Sequence, residues 1–111
     1  MTNTHPMDAL GDPTRRQIFE HIRQGPRSVT ELVETVSVSQ PAVSQHLKVL
    51  REAQLVSVVK QGQKRIYQLN PNGLQELRHY VDGLWDDALQ AFGEEAANMA
   101  NAEDRNSETG E

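Results

Sequence analysis

Between Ser37 and Val56 the chain sorts its side chains into two kinds by helical angle. At about 100° per residue, Val43, Leu47 and Leu50 fall within roughly 60° of arc. Pro41, Ser44, Gln45, Lys48 and Glu52 take the opposite side, with Gln40 and Arg51 at its edge. Most of this outward set is short or carries an amide, and two of its members are basic. A glutamine amide can both accept from and donate to one adenine edge, while serine and lysine reach backbone phosphate oxygens. A helix face kept only for solvation is usually richer in Glu–Lys pairs. The competing reading is an ordinary helical hairpin inside a core, which leaves the polar face without a purpose.

The elements that must hold this helix are also readable. Ser28-Val29-Thr30-Glu31 fits a capping box, in which Ser28 and Glu31 satisfy free N–H groups at a helix start. Leu32, Val33 and Val36 give that helix its apolar residues. Ser37 and Val38 make a short turn, Ser39 is the expected N-cap of the next helix, and Pro41 stands in its first turn, where a missing N–H costs nothing. Two short helices joined tightly, the second turned outward, constitute a helix-turn-helix. Upstream, Met7 to Leu10 reads as a short helical segment. Asp12-Pro13 starts a further helix with Ile18, Phe19 and Ile22 as its buried stripe, and Gly25-Pro26 stops it.

After the helix-turn-helix the period changes. Val56 and Val58 alternate with Ser57, and Ile66-Tyr67-Gln68-Leu69 is β-prone. Lys60-Gln61-Gly62-Gln63-Lys64-Arg65 lies between them as a polar turn, so the segment reads as a β-hairpin with a basic tip, a wing. Its cations can reach phosphates or a minor groove; the plainer reading is a solvated tip. Asn70-Pro71 then repeats the cap-plus-proline signal, and a long helix is expected to run to roughly Ala97. Leu74, Leu77, Val81, Leu84, Ala88 and Phe92 make an apolar stripe at three- and four-residue spacing, with Trp85 and Leu89 on its shoulder. A domain this small cannot bury all of that helix, so part of the stripe is expected against the core and the rest against a second copy. Gly83 costs about 1 kcal/mol of helix propensity relative to Ala and would permit a close approach.

The 111 residues carry a net charge of −5, which looks wrong for a nucleic-acid binder until the chain is divided. Through Leu69 there are nine Lys and Arg against six Asp and Glu, or +3; from Asn70 onward there are two against ten, or −8. Binding responds to the local field and not to the total. So light a basic charge implies weak binding by a single copy, one reason to expect a dimer. One domain is expected over residues 1–97, followed by a disordered acidic tail over 98–111. No apolar run approaches the roughly 20 residues that cross a bilayer, so no membrane association is expected. Met1 to Pro6 has neither the basic nor the apolar region of a signal peptide. No cysteine is present, which removes disulfides and thiolate sites and favours the cytoplasm.

Taken together, Asp12-Pro-Thr-Arg-Arg16, Glu31-Leu32, Ser39-Gln40, Val43-Ser-Gln-His-Leu-Lys-Val-Leu50 and Gln54-Leu-Val56 resemble the ArsR-type (ArsR/SmtB) winged-helix repressors over about residues 7 to 92. Leu84-Trp85-Asp-Asp-Ala-Leu89 looks like a branch whose last helix carries a tryptophan and lacks metal ligands. The resemblance implies a mainly α fold with a small β-hairpin: a winged helix-turn-helix with an extra C-terminal dimerisation helix. It further implies a homodimer formed by the first and last helices that represses a promoter at a palindromic operator in double-stranded DNA. Positions that read DNA in relatives correspond to Gln40, Pro41, Ser44 and Gln45. The full expected DNA-binding set adds Ser39, His46, Lys48 and Arg51 on or beside the helix and Lys60, Gln63, Lys64 and Arg65 on the wing. His46 is expected to be structural or to touch a phosphate. Met7, Leu10, Leu77, Val81, Leu84, Trp85, Ala88 and Phe92 are the expected dimer contacts.

Two departures from the family pattern stand out. Relatives usually have Gly where Gln54 stands, at a left-handed position after the recognition helix, where Gln costs about 1 kcal/mol. The thiolate pair of arsenic, lead and cadmium sensors would fall at Ser28 and Thr30, which cannot replace soft ligands. The last helix offers His79-x-x-Asp82 and Asp86-Asp87. His79 and Asp82 could share a zinc, but there is one histidine and no preceding Asp-x-His, so a solvated face is the reading adopted, with a zinc-responsive repressor as an alternative. His5 and His21 are assigned no role. No cofactor is expected. A small apolar ligand, a protein partner or no effector at all remain as triggers. A winged helix used only for protein–protein contact is the rival class, opposed by the basic wing and the Gln/Ser/Lys face. An enzyme is not expected, because no nucleophile–base pairing or glycine-rich phosphate loop occurs.

Overall fold

The structure, a computed structural model, describes residues 4–93 and Asn98. Each helix start follows from its sequence. Helix α1 spans Pro6–Ala9, with the His5 ring accepting from the Met7 N–H; it begins and ends one residue earlier than the expected Met7 to Leu10. Helix α2, Pro13–Gln24, is capped by Asp12, whose Oδ1 accepts from the Arg15 N–H at 2.9 Å. Strand β1, Arg27–Ser28, precedes α3, Val29–Thr35, and the capping box of Ser28 and Glu31 is complete in both directions. Helix α4, Gln40–Glu52, is capped by the Ser39 hydroxyl. Strands β2, Val56–Gln61, and β3, Lys64–Leu69, follow, then α5, Pro71–Phe92.

The wing has one strand more than expected. β2 and β3 pair antiparallel from Val56–Leu69 to Gln61–Lys64 across the two-residue loop Gly62-Gln63. On the other side of β3, Arg27 pairs with Tyr67 and Ser28 with Ile66, giving a sheet of order β1-β3-β2. The expected two-stranded hairpin is therefore a three-stranded sheet. Two residues carry no alternation of polarity, which is why β1 left no trace in the sequence pattern.

By compactness, residues up to Leu77 form one unit and those from Arg78 onward a second. In the first, α2 contributes Ile18, Phe19 and Ile22 to the core, α3 Leu32, and α4 Val43, Leu47 and Leu50. Leu55, Val56 and Tyr67 join it from the sheet side, and Ala9, Val36 and Ala53 are buried with them. Leu10 and Leu74 pack against it, half-buried. Each fully buried aliphatic side chain is worth about 1.5–3 kcal/mol relative to exposure, and three of them come from one stripe of α4. In the second unit, Val81, Leu84, Leu89 and Phe92 are exposed, Leu84 by 51% and Phe92 by 64%; Trp85 and Ala88 are half-exposed. The helix stops at Phe92, short of the expected Ala97, because Gly93 at φ 60 turns the chain while its N–H still reaches the Leu89 carbonyl. Residues 94–97 and all of the expected tail except Asn98 lie outside the described residues.

The exit from α4 is closely packed against the start of α5. Gln54 sits at φ 58, the left-handed position foreseen after the helix, and the Leu55 N–H returns to the Leu50 carbonyl at 3.0 Å. The Gly73 N–H donates to the Gln54 carbonyl at 2.7 Å. A Cβ on Gly73 would overlap the Gln54 carbonyl oxygen and stand 2.6 Å from its carbon and 2.8 Å from the Ala53 oxygen. These neighbours are backbone and have no rotamer to yield. Gly73→Ala is expected to destabilise the fold by about 2–3 kcal/mol, at the upper part of the usual overpacking range, and Gln54→Gly to stabilise it by up to about 1 kcal/mol through relief of the left-handed cost. Urea denaturation of both variants measures this; a neutral Gly73→Ala would contradict the close approach.

Candidate nucleic-acid interface

The outward face of α4 follows from the burial of the other. With Val43, Leu47 and Leu50 inside, Gln40, Pro41, Ser44, Gln45, Lys48 and Arg51 are exposed. Four of these, Gln40, Ser44, Lys48 and Arg51, line a concave groove of about 520 Å³. The wing supplies Gln63, Lys64 and Arg65 to the same groove. Seven of the twelve expected DNA-binding residues therefore converge, although Lys64 and Arg65 are separated from Gln40 by more than twenty residues of chain. Four cations line the groove and no carboxylate does, so it concentrates positive potential where the total charge of the chain is negative.

The other five stand elsewhere. Ser39 spends its hydroxyl on the Ala42 N–H at 3.3 Å. Pro41 and Gln45 are exposed on α4 beside the groove, and Lys60 is exposed on β2. His46 is half-buried, its Nδ1 3.4 Å from Nη1 of Arg15. Sequence reasoning missed Val29, Thr30 and Tyr67 as lining residues, and gave Ser28 only a capping role. The pairing of Tyr67 with Arg27 brings these residues to the groove, and that pairing depends on the unforeseen β1.

Two carboxylates take part in helix caps in this unit, Glu31 in the capping box of α3 and Asp12 at the start of α2. The Ser28 N–H donates to Oε1 of Glu31 at 2.8 Å. This bond, then one from the Ser28 hydroxyl, lowers the Glu31 carboxyl below its ordinary 4.5, helped by the charges of Arg27 and Lys64. The Asp12 carboxyl is lowered first by the Arg15 N–H, then by the charge of Arg15. On α5, Asp82 lies 3.8 Å from Nε of Arg78, and His79 is exposed. Among the described residues no three His, Asp or Glu side chains are grouped to hold a metal ion, and no helix is long and apolar enough to cross a membrane.

With this geometry in hand, known proteins supply the relationship. Residues 12–58 match the model of the family described as bacterial regulatory protein, arsR family. The chain is 49% identical over 86 residues to the HTH-type transcriptional regulator Rv2034 of Mycobacterium tuberculosis, covering 78% of this chain and 80% of that protein. The chain belongs to the ArsR family. Another relative, the transcriptional repressor SdpR of Bacillus subtilis, is 35% identical over 68 residues, 61% of this chain and 76% of its own length. Among solved structures, a possible transcriptional regulator for arsenical resistance superposes with a TM-score of 0.68 at 38% identity, over 74% of this chain and 85% of that one. The fold is thus a winged helix-turn-helix of the ArsR family, and the protein is a DNA-binding transcriptional regulator and not an enzyme.

Because both carboxylates are held below their ordinary values, their contribution to stability is complete above those values and is lost as the pH falls through the lowered folded-state values. Urea midpoints are therefore expected to hold steady above about pH 5 and to drop between about pH 5 and 3. Glu31→Gln, which keeps an acceptor but no titrating group, should start lower and fall less. A steeper acid loss in Glu31→Gln would contradict the cap assignment.

Proposed function

We propose that the protein is a homodimeric repressor that covers a palindromic operator, each copy laying α4 in a major groove and its wing along the adjoining backbone, the half-sites about one helical turn apart. The observation that carries this reading is the convergence of Gln40, Ser44, Lys48 and Arg51 with Gln63, Lys64 and Arg65 on one acid-free groove. In it Gln40, Ser44 and the neighbouring Gln45 read base edges, while Lys48, Arg51, Lys64 and Arg65, with Lys60 outside the groove on β2, neutralise phosphates. The repressor names of its relatives support the direction of control. Dimerisation is supported by the apolar stripe of Val81, Leu84, Trp85, Ala88 and Phe92 on α5, exposed or half-exposed, with Leu77 preceding it; Met7, 43% exposed on α1, and Leu10 are proposed as separate contacts to the second copy. The protein acts in the cytoplasm, where its operator is. Its control does not run through a soft metal, since Ser28 and Thr30 stand where a thiolate pair would be needed. A small apolar ligand, a protein partner or the protein's own concentration takes that role.

Fluorescence anisotropy on the promoter-region duplex against a scrambled duplex, with and without zinc, tests the reading. Promoter-specific binding unaffected by zinc is expected; release by zinc would return His79 and Asp82 to consideration as ligands. Ser44→Ala combined with Gln45→Ala should lower specific affinity at least tenfold or so, while the dimer persists. Lys64→Ala with Arg65→Ala should weaken binding to every sequence and reduce the slope of log affinity against log salt by about 2. Leu84→Glu, at an exposed position, should leave thermal stability of the monomer nearly unchanged and turn the dimer into a monomer in sedimentation velocity. A dimer that survives Leu84→Glu would remove this stripe from the interface.

A further inference from the structure

The side chain of Arg15 bridges two elements other than its own. Its Nε donates to the Ala9 carbonyl at the end of α1 at 2.6 Å. Its Nη1 lies 3.4 Å from Nδ1 of His46 on α4. Helix α1 is a single turn of four residues, far below the length at which a helix persists unaided, so its place depends on what grips it. The grip is on its negative end: Arg15 takes the Ala9 carbonyl, and Nη1 of Arg16 takes the Leu10 carbonyl at 2.9 Å. Arg15 is in turn held at its root, since its own N–H is bound by Asp12 at 2.9 Å.

A guanidinium only donates, so Nδ1 of His46 must accept. A neutral imidazole that accepts at Nδ1 carries its hydrogen on Nε2. The ring is half-buried and sits between Gln45 and Leu47, at the border of the exposed and buried faces of α4.

We infer that Arg15 is a positioning residue for DNA binding: it clamps His46 to the C-terminal carbonyl of α1 and fixes the imidazole as an Nε2–H donor to the DNA backbone. The inference rests on the proposed reading of the groove. It joins α1, which carries Met7, to the helix that carries Gln40, Ser44 and Gln45, through a side chain that itself touches no base.

The test uses the full-length chain and the duplex that the wild-type protein selects from a random-sequence pool. Nitrogen-15 NMR of the His46 ring should give the Nε2–H tautomer in the wild type and a tautomer mixture in Arg15→Gln. Arg15→Gln should lower affinity for the selected duplex about tenfold, the worth of one hydrogen bond to a charged group. His46→Leu should cost as much, and the double variant should be no worse than either single variant. His46→Gln, whose amide can accept from Arg15 and donate to a phosphate, should recover most of the affinity. An Nδ1–H ring in the wild type, additive losses in the double variant, or equal losses for His46→Leu and His46→Gln would each overturn the inference. If the wild type selects no duplex, the groove reading itself fails; the ring spectrum then decides the clamp alone, Nε2–H supporting it and Nδ1–H overturning it.

Discussion

The carbonyl of Gln54 is where three segments of the chain are forced to agree. Helix α4 ends against it, with Leu55 folded back on Leu50. Strand β3 returns to the same place, since the Asn70 N–H binds the Leu55 carbonyl at 3.0 Å. The first turn of α5 then docks on it through Gly73. The root of the wing and the start of the last helix are therefore referenced to one end of the recognition helix. That arrangement needs a left-handed residue at 54 and no side chain at 73. The chain meets the second need with glycine and accepts strain at the first. Strain of about 1 kcal/mol is small beside the burial of Val43, Leu47 and Leu50 from the same helix.

Burial on that scale also explains the odd composition of the outward face. Serine and proline are not chosen for helix propensity, and a helix of this length would not hold them in isolation. Tertiary packing holds α4 from behind, which frees its front for side chains with other uses. The same division holds for charge: the acid-free groove and the acidic last third of the chain coexist because the net charge of −5 is not a local quantity.

Most of the helices were legible because their signals are local. Asp12-Pro13, Ser28 with Glu31, Ser39 with Pro41, and Asn70-Pro71 each specify a start within four residues, and the apolar stripes specify the buried sides. What failed to register depends on contacts distant in sequence. β1 is two residues long and exists only because β3 passes beside it; with it went the lining roles of Val29, Thr30 and Tyr67. Gly73 follows Pro71 and Asn72 at a helix start, where a glycine passes as neutral, and only the nearness of Gln54 makes it necessary. The convergence of wing and α4 was legible as an inference from order along the chain, while the bridge from Arg15 to His46, thirty-one residues apart, was not. The stop at Gly93 was overlooked because the expected helix was carried beyond Phe92, the last residue of its apolar stripe.

The start of α4 has a consequence for how an anion can be held there. A helix N-terminus ordinarily offers several backbone N–H groups as a ready cradle for phosphate. Here the Val43 N–H is taken by the Ser39 carbonyl and the Ala42 N–H by the Ser39 hydroxyl, and Pro41 has none to give. Among the described residues at this start, the N–H groups of Ser39 and Gln40 are left. The mouth of this helix is thus narrowed as a main-chain receptor to two adjacent donors. Whatever polyanion lies across it is gripped largely by side chains, so the choice of partner is written mostly in replaceable residues. A descendant of this chain could change its target by altering Gln40, Ser44 and Gln45 without disturbing a single bond that holds the helix in place.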